Sequence, residues 1–217
     1  DRILYTAKNQ GRGRVLRQAP ARIGPVAPAH ASRWFGRQVG EIVHRALHWH
    51  RPGMTGAELR AMLERFPWED GLLPEAHDSA LLDRALRLTQ GVLASELQGE
   101  IEAARTVYRE LPFAWHTGAR AIYGVLDVLY QRADGSWVLA DYKTAYVADH
   151  SPGGLQAHAV QYHYQLAVYA AAARDLLALP ALQVYIHFIQ HGASVEISPA
   201  ELDTALRQLE EAIGQMT

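Results

Sequence analysis

Asp141 and Lys143 stand two residues apart in the run WVLADYKT, residues 137–144. If that run is a strand, its pleat sends both side chains to one face and Tyr142 to the other, so a carboxylate and an ammonium share a site. Asp127 lies in the preceding run RAIYGVLDVLYQ, residues 120–131, on one face with Tyr123, Val125 and Leu129, and a short hairpin brings it beside Asp141. Two carboxylates and a lysine suit phosphodiester hydrolysis. Hard oxygen ligands hold Mg²⁺ or Mn²⁺, the cation polarises the phosphoryl group and acidifies a water, and the lysine steadies developing charge. Taken alone, D-x-K is a weak signal, because an ion pair at a sheet edge gives the same letters.

The elements that must position these residues follow from periodicity. Residues 106–116, 120–131 and 137–144 alternate as strands, with turn chemistry at Ala133-Asp134-Gly135-Ser136. Upstream, 34–50 carries Val39, Ile42, Val43, Ala46 and Leu47 at helical spacing, and Pro52-Gly53 ends it. Thr55 and Glu58 have the spacing of a capping box for a short helix to about Arg65, and Asp78 can cap a long helix through Leu93. Downstream come a loop over 145–157, an Ala-rich helix over 158–178, strands at 182–189 and 193–197, and a final helix opened by Ser198-Pro199-Ala200-Glu201. The expected class is α/β, a mixed, mostly antiparallel sheet flanked by helices. Residues 1–31 read as a basic linker or extension and 32–217 as one domain.

Composition narrows the chemistry. The 217 residues contain no cysteine, which removes disulfides, thiolate zinc sites, iron–sulfur clusters and cysteine nucleophiles, so any metal is held by His and carboxylate. No apolar run approaches the roughly 20 residues needed to span a bilayer, so the expectation is a cytoplasmic protein without membrane contact. The start at Asp1, without Met, reads as an excised piece of something longer. Residues 1–51 carry ten Arg or Lys against two acidic residues, leaving 11 basic and 21 acidic for the rest. A basic entry before an acidic body suits a nucleic-acid path leading to a metal site, and a solvated linker has the same composition.

GVLDVLY followed by WVLADYKT resembles the core motifs of the RecB-like nucleases in the PD-(D/E)XK superfamily. Gly40-Glu-Ile-Val-His44 is similar to that family's upstream G-x-x-x-H motif, Gln165-Leu-Ala-Val-Tyr169 to its downstream Q-x-x-x-Y motif, and RELPF with Glu110 to a stretch before the first Asp motif. The resemblance covers roughly residues 35–197 in consistent order. Leu126 replaces the nominal Pro, and the absent cysteines favour the AddA or RecB type over iron–sulfur members. The resemblance implies a restriction-endonuclease-like core, with His44, Asp127, Asp141 and the main-chain carbonyl of Tyr142 as metal ligands and Lys143 as the catalytic cation beside Asp127 and Asp141. Glu110, Gln165 and Tyr169 would bind DNA or support the site. From spacing alone, His44 shares its helix with His48 and His50, Glu110 sits on the opposite parity from Leu111, Phe113 and Trp115, and Gln161 offers a register competing with Gln165.

The implied activity is a Mg²⁺- or Mn²⁺-dependent deoxyribonuclease, exo- or endonucleolytic, within a helicase-nuclease serving DNA repair and recombination. DNA, with single strands preferred, and a helicase module are the implied partners, since no Walker motif is present here. The alternative is an inactive nuclease-like fold that binds DNA or docks a partner.

Overall fold

A computed structural model describes residues 28–69, 78–117, 120–179 and 181–215. Four helices come first: α1 (Pro28–Trp49), α2 (Gly56–Glu69), α3 (Ser79–Leu93) and α4 (Glu96–Glu102). Strands β1 (Thr106–Thr117), β2 (Arg120–Gln131) and β3 (Trp137–Lys143) follow. Helix α5 (Pro152–Ala159), a 3₁₀ turn (Val160–Tyr162) and helix α6 (His163–Leu177) then lead to β4 (Leu182–Phe188), β5 (Ala193–Ile197) and α7 (Pro199–Gly214). The sheet keeps chain order, β1-β2-β3-β4-β5. Its neighbours are antiparallel except β3 and β4, which are parallel and therefore need the crossover that α5 and α6 provide. This is the mixed, helix-flanked sheet expected from the sequence.

Each face of the sheet closes its own core. Val138, Ala140 and Tyr142 join Ile42, Val43, Leu63, Leu81 and Ile101 from α1–α4. Leu139, Val184, Ile186 and Phe188 join Leu166, Tyr169, Ala173 and Leu202 from α6 and α7. Strand β3 is covered on both sides, which is why its sequence is a nearly continuous apolar run until Asp141. Each fully buried aliphatic side chain contributes about 1.5–3 kcal/mol relative to exposure.

The β1–β2 ribbon changes sides along its length. Val107, Val128 and Tyr130 pack with the first core, yet Leu111, Phe113, Trp115, Ile122 and Leu126, on the same pleat parity, pack with the second. The change falls at Glu110, a non-glycine residue with φ 49°. Pairing holds one register on both sides, Arg109 with Val128 and Leu111 with Leu126, while the rung between Glu110 and Asp127 is missing. The distal half of the ribbon thus curls over α6, where Trp115 Nε1 donates to Asp175 at 2.8 Å and Phe113 meets Tyr169 edge to face.

Local signals account for most boundaries. The capping boxes at Thr55/Glu58 and Ser198/Glu201 form, Asp78 accepts from Ala80, and Asp134 accepts from Ser136 beside Gly135 at φ 91°. Other boundaries differ from expectation: the helix expected to about Arg65 runs to Glu69, and the Ala-rich helix expected from 158 begins at His163. Helix α1 starts at Pro28, so 28–31 are helical, while 1–27, the bulk of the expected linker, lie outside the described residues. The helix expected from Asp78 through Leu93 ends there, and a short one that was not expected follows, because Ser95 turns back to Val92 O and caps Gln98 N. Part of the expected loop 145–157 is α5, capped by Ser151 with Pro152 in the first turn, the same device that opens α7. Among the described residues no helix is long and apolar enough to cross a membrane.

Candidate metal and phosphate site

The β2–β3 ladder runs from Gln131–Trp137 to Val128–Ala140 and stops. The rung that would join Asp127 to Asp141 is missing. Instead Tyr142 N–H donates to Asp127 Oδ2 at 2.8 Å, so a side chain takes a main-chain donor that the ladder leaves. The strands open here, and Asp127 is anchored with no side-chain exposure and its Oδ1 turned toward α1.

Helix α1 supplies His44. Its Nδ1 lies 3.3 Å from Asp127 Oδ1 and 3.8 Å from Glu110 Oε1. Gly40, one turn earlier, allows the approach, because a Cβ there would stand 3.0 Å from Thr144 Oγ1, just past the end of β3. His44 also meets Tyr142 edge to face, and Tyr142 in turn meets His187. Burial, with Asp127 nearby, pushes the Tyr142 phenol up, so it stays neutral.

Glu110 was ambiguous by parity, and its backbone decides the matter. With φ 49° it departs from the β conformation directly across from Asp127, and its carboxylate joins His44 and Asp127 in a group whose ligand atoms lie within 4.8 Å of one another. Non-glycine residues in this region cost about 1–3 kcal/mol and collect at functional sites. Two carboxylate oxygens and an imidazole nitrogen are a fitting donor set for a hard divalent cation. Ligand atoms at right angles around such an ion stand about 2.8–3.7 Å apart, and His44 Nδ1 lies 3.3 Å from Asp127 Oδ1 and a little beyond that range, 3.8 Å, from Glu110 Oε1.

Asp141 lies outside that group and belongs to a second cluster. Lys143 Nζ is 2.5 Å from Asp141 Oδ2, with side-chain exposures of 15% and 0%. Gln165 on α6 accepts from Lys143 Nζ at 3.0 Å and donates to Asp141 Oδ1 at 3.3 Å and to Tyr169 Oη at 2.7 Å. Tyr162 places its ring 4.7 Å from Lys143 Nζ, and burial, then Asp141, raises its phenol pKa. The Gln register is thereby settled, since Gln161 is exposed and bonds to His158 O. Tyr169 is fully buried against Phe113, so its ring is core and its hydroxyl serves the cluster.

Further residues, which the sequence does not single out, support the end of β3. Ile189 N–H donates to Lys143 O at 3.0 Å, and Gln190 Nε2 donates to Thr144 O at 2.5 Å while its Oε1 accepts from Arg84 at 2.8 Å. His191 accepts from Val147 N–H at 3.1 Å. No motif spacing marks these residues. Only the β4–β5 turn brings them under the end of β3.

The chain matches the model of the PD-(D/E)XK nuclease superfamily over residues 15–217. It is 32% identical over 118 residues to an ATP-dependent helicase/nuclease subunit of Desulforudis audaxviator, and 31% identical over 121 residues to the corresponding protein of Bacillus cereus. In each case 48% of this chain is aligned, against 9% and 10% of those proteins, so the match spans about a tenth of their length. The fold is similar to that of a candidate exonuclease from Eubacterium rectale, with a TM-score of 0.56, 14% identity, and coverage of 83% of this chain and 65% of that one. Family match, fold and ordered motifs agree: the chain belongs to the PD-(D/E)XK nuclease superfamily.

Proposed function

We propose that this chain is a Mg²⁺- or Mn²⁺-dependent DNA nuclease, the cutting module of a helicase-nuclease acting in DNA repair and recombination, with a preference for single strands. The observation that carries the reading is the opening of the β2–β3 ladder, which sets the His44–Glu110–Asp127 group beside the Asp141–Lys143–Gln165 cluster. His44, Glu110 and Asp127 would hold the cation, with Asp141 and the Tyr142 carbonyl completing the set. The cation, when bound, supplies charge to the phosphoryl oxygens and lowers the pKa of the attacking water.

The remaining work falls to the chain itself. Asp127 fixes the strand opening through Tyr142 N–H. Lys143, held at Asp141 and over Tyr162, is poised to move its ammonium to a phosphate oxygen, and Gln165 with Tyr169 keeps Asp141 oriented as the lysine leaves. The similarity to helicase/nuclease proteins supports a helicase as partner. The basic residues before the site support contact with phosphate, which makes binding fall steeply with salt.

The test is incubation of circular single-stranded DNA and blunt linear duplex with Mg²⁺, Mn²⁺, Ca²⁺ or chelator. Cleavage of the circle with Mg²⁺ or Mn²⁺, none with chelator, and a His44→Ala variant that needs more metal are expected. Activity that survives exhaustive chelation sinks the reading, and an intact circle beside degraded duplex ends replaces the open cleft with an end-dependent exonuclease.

A further inference from the structure

Tyr146 is the most exposed large hydrophobic side chain among the described residues, at 69%. It is also held in place. Its ring centroid lies 5.7 Å from that of His191, and His191 stacks on His150 at 5.5 Å with 6° between the planes. Val147, the next residue, is buried at 5% and gives its N–H to His191 Nε2, so this ring is locked by the loop it supports. The segment is pinned again by Ile189 to Lys143 O and by Gln190 to Thr144 O. A large aromatic face is therefore kept in water on a fixed mount.

Its place in the chain says what the face is for. Tyr146 comes three residues after Lys143, so its Cα lies within about 10 Å of that of the lysine. We propose that Tyr146, backed by His191 and His150, is a stacking platform for the nucleobase next to the scissile phosphate of a single strand. The proposal rests on the nuclease reading above and adds a substrate-selecting residue to it. A base offers a bare face only when it is unpaired and unstacked, so such a platform rewards single strands over duplex and is indifferent to which base it holds.

Two measurements test it. In the first, Mn²⁺-dependent cleavage is followed on a single strand carrying one abasic position moved stepwise along it, for the parent, Tyr146→Phe and Tyr146→Ala, each checked for parental thermal melting. The parent and Tyr146→Phe should cut roughly tenfold more slowly at bonds beside the gap, whereas Tyr146→Ala should be slowed about as much everywhere and ignore the gap. In the second, binding to an oligonucleotide containing 2-aminopurine is read by fluorescence quenching in chelator, independently of turnover. Quenching by the parent and Tyr146→Phe but not by Tyr146→Ala supports the platform. A parent that cuts nothing removes the nuclease reading alone, since the quenching still reads the platform. Equal quenching by all three proteins, parental cutting of single strands by Tyr146→Ala, or an equal loss on duplex overturns the platform.

Discussion

At the scale of the residue, the Asp141–Lys143 pair has two consequences that separate in experiment. Breaking a buried ion pair by removing one partner costs about 3–5 kcal/mol, because the remaining charge keeps its desolvation without its counter-ion. Lys143→Met should therefore lose both cleavage and stability. Asp141→Asn/Lys143→Met, with neither charge, should recover most of the stability and none of the activity. Thermal melting beside a nuclease assay reads both, and a double variant no more stable than Lys143→Met would show that Gln165 and Tyr162 hold the site without help from the charge pair. That Asp141 and Lys143 share a face was legible from a strand's period, whereas Asp127, expected beside Asp141, groups with His44 and Glu110 because the ladder opens between the two strands. Glu110 was named through the resemblance alone, since its place in the group depends on a backbone angle that parity assumes away.

Among the elements, the strands and the capped helix starts were read nearly to the residue, because alternation and caps are local signals. The misses have equally local physics. Ser95 ends one helix and caps the next, and Ser151-Pro152 opens α5 with the letters that open α7 at Ser198-Pro199, ahead of the Ala-rich pattern that starts at 158. The loop between β3 and α5 depends on one glycine. A Cβ at Gly154 would lie 2.2 Å from Asp149 O and 2.3 Å from Asp149 Cγ, a clash with main chain that no rotamer relieves. Gly154→Ala should lower stability by about 1–3 kcal/mol, the usual cost of overpacking, and displace the segment that carries Tyr146. Gly153→Ala, one residue earlier and in open space, is the control and should melt with the parent.

For the whole molecule, pH reaches the fold through His187. This residue lies on β4 with Nδ1 2.9 Å from Ser194 Oγ, and burial pulls its pKa down to about 4. Below its ordinary value of 6.5 the unfolded chain takes up a proton that the folded one refuses. Stability is therefore complete above that value and is lost as pH falls toward 4, by up to about 3 kcal/mol. Denaturant melts from pH 7 to pH 4 should show this slope, and His187→Asn should flatten it. An unchanged slope in that variant would place the acid sensitivity in the carboxylates. A sheet with helices on its flanks was legible beforehand, but the division of same-parity residues of β1 and β2 between the two cores was not, because pattern alone does not mark the point where it falls.

That division at Glu110 sets persistence against activity. A left-handed backbone angle is nearly free for glycine and costly for glutamate. Glu110→Gly should therefore melt no lower than the parent, and up to about 1 kcal/mol higher, while isothermal titration shows weaker uptake of Mn²⁺; a clear loss of stability would mean that the angle is no burden. Selection acting on durability alone would discard this glutamate early, so glycine or asparagine at the position in a descendant sequence would mark a lineage that has stopped cutting.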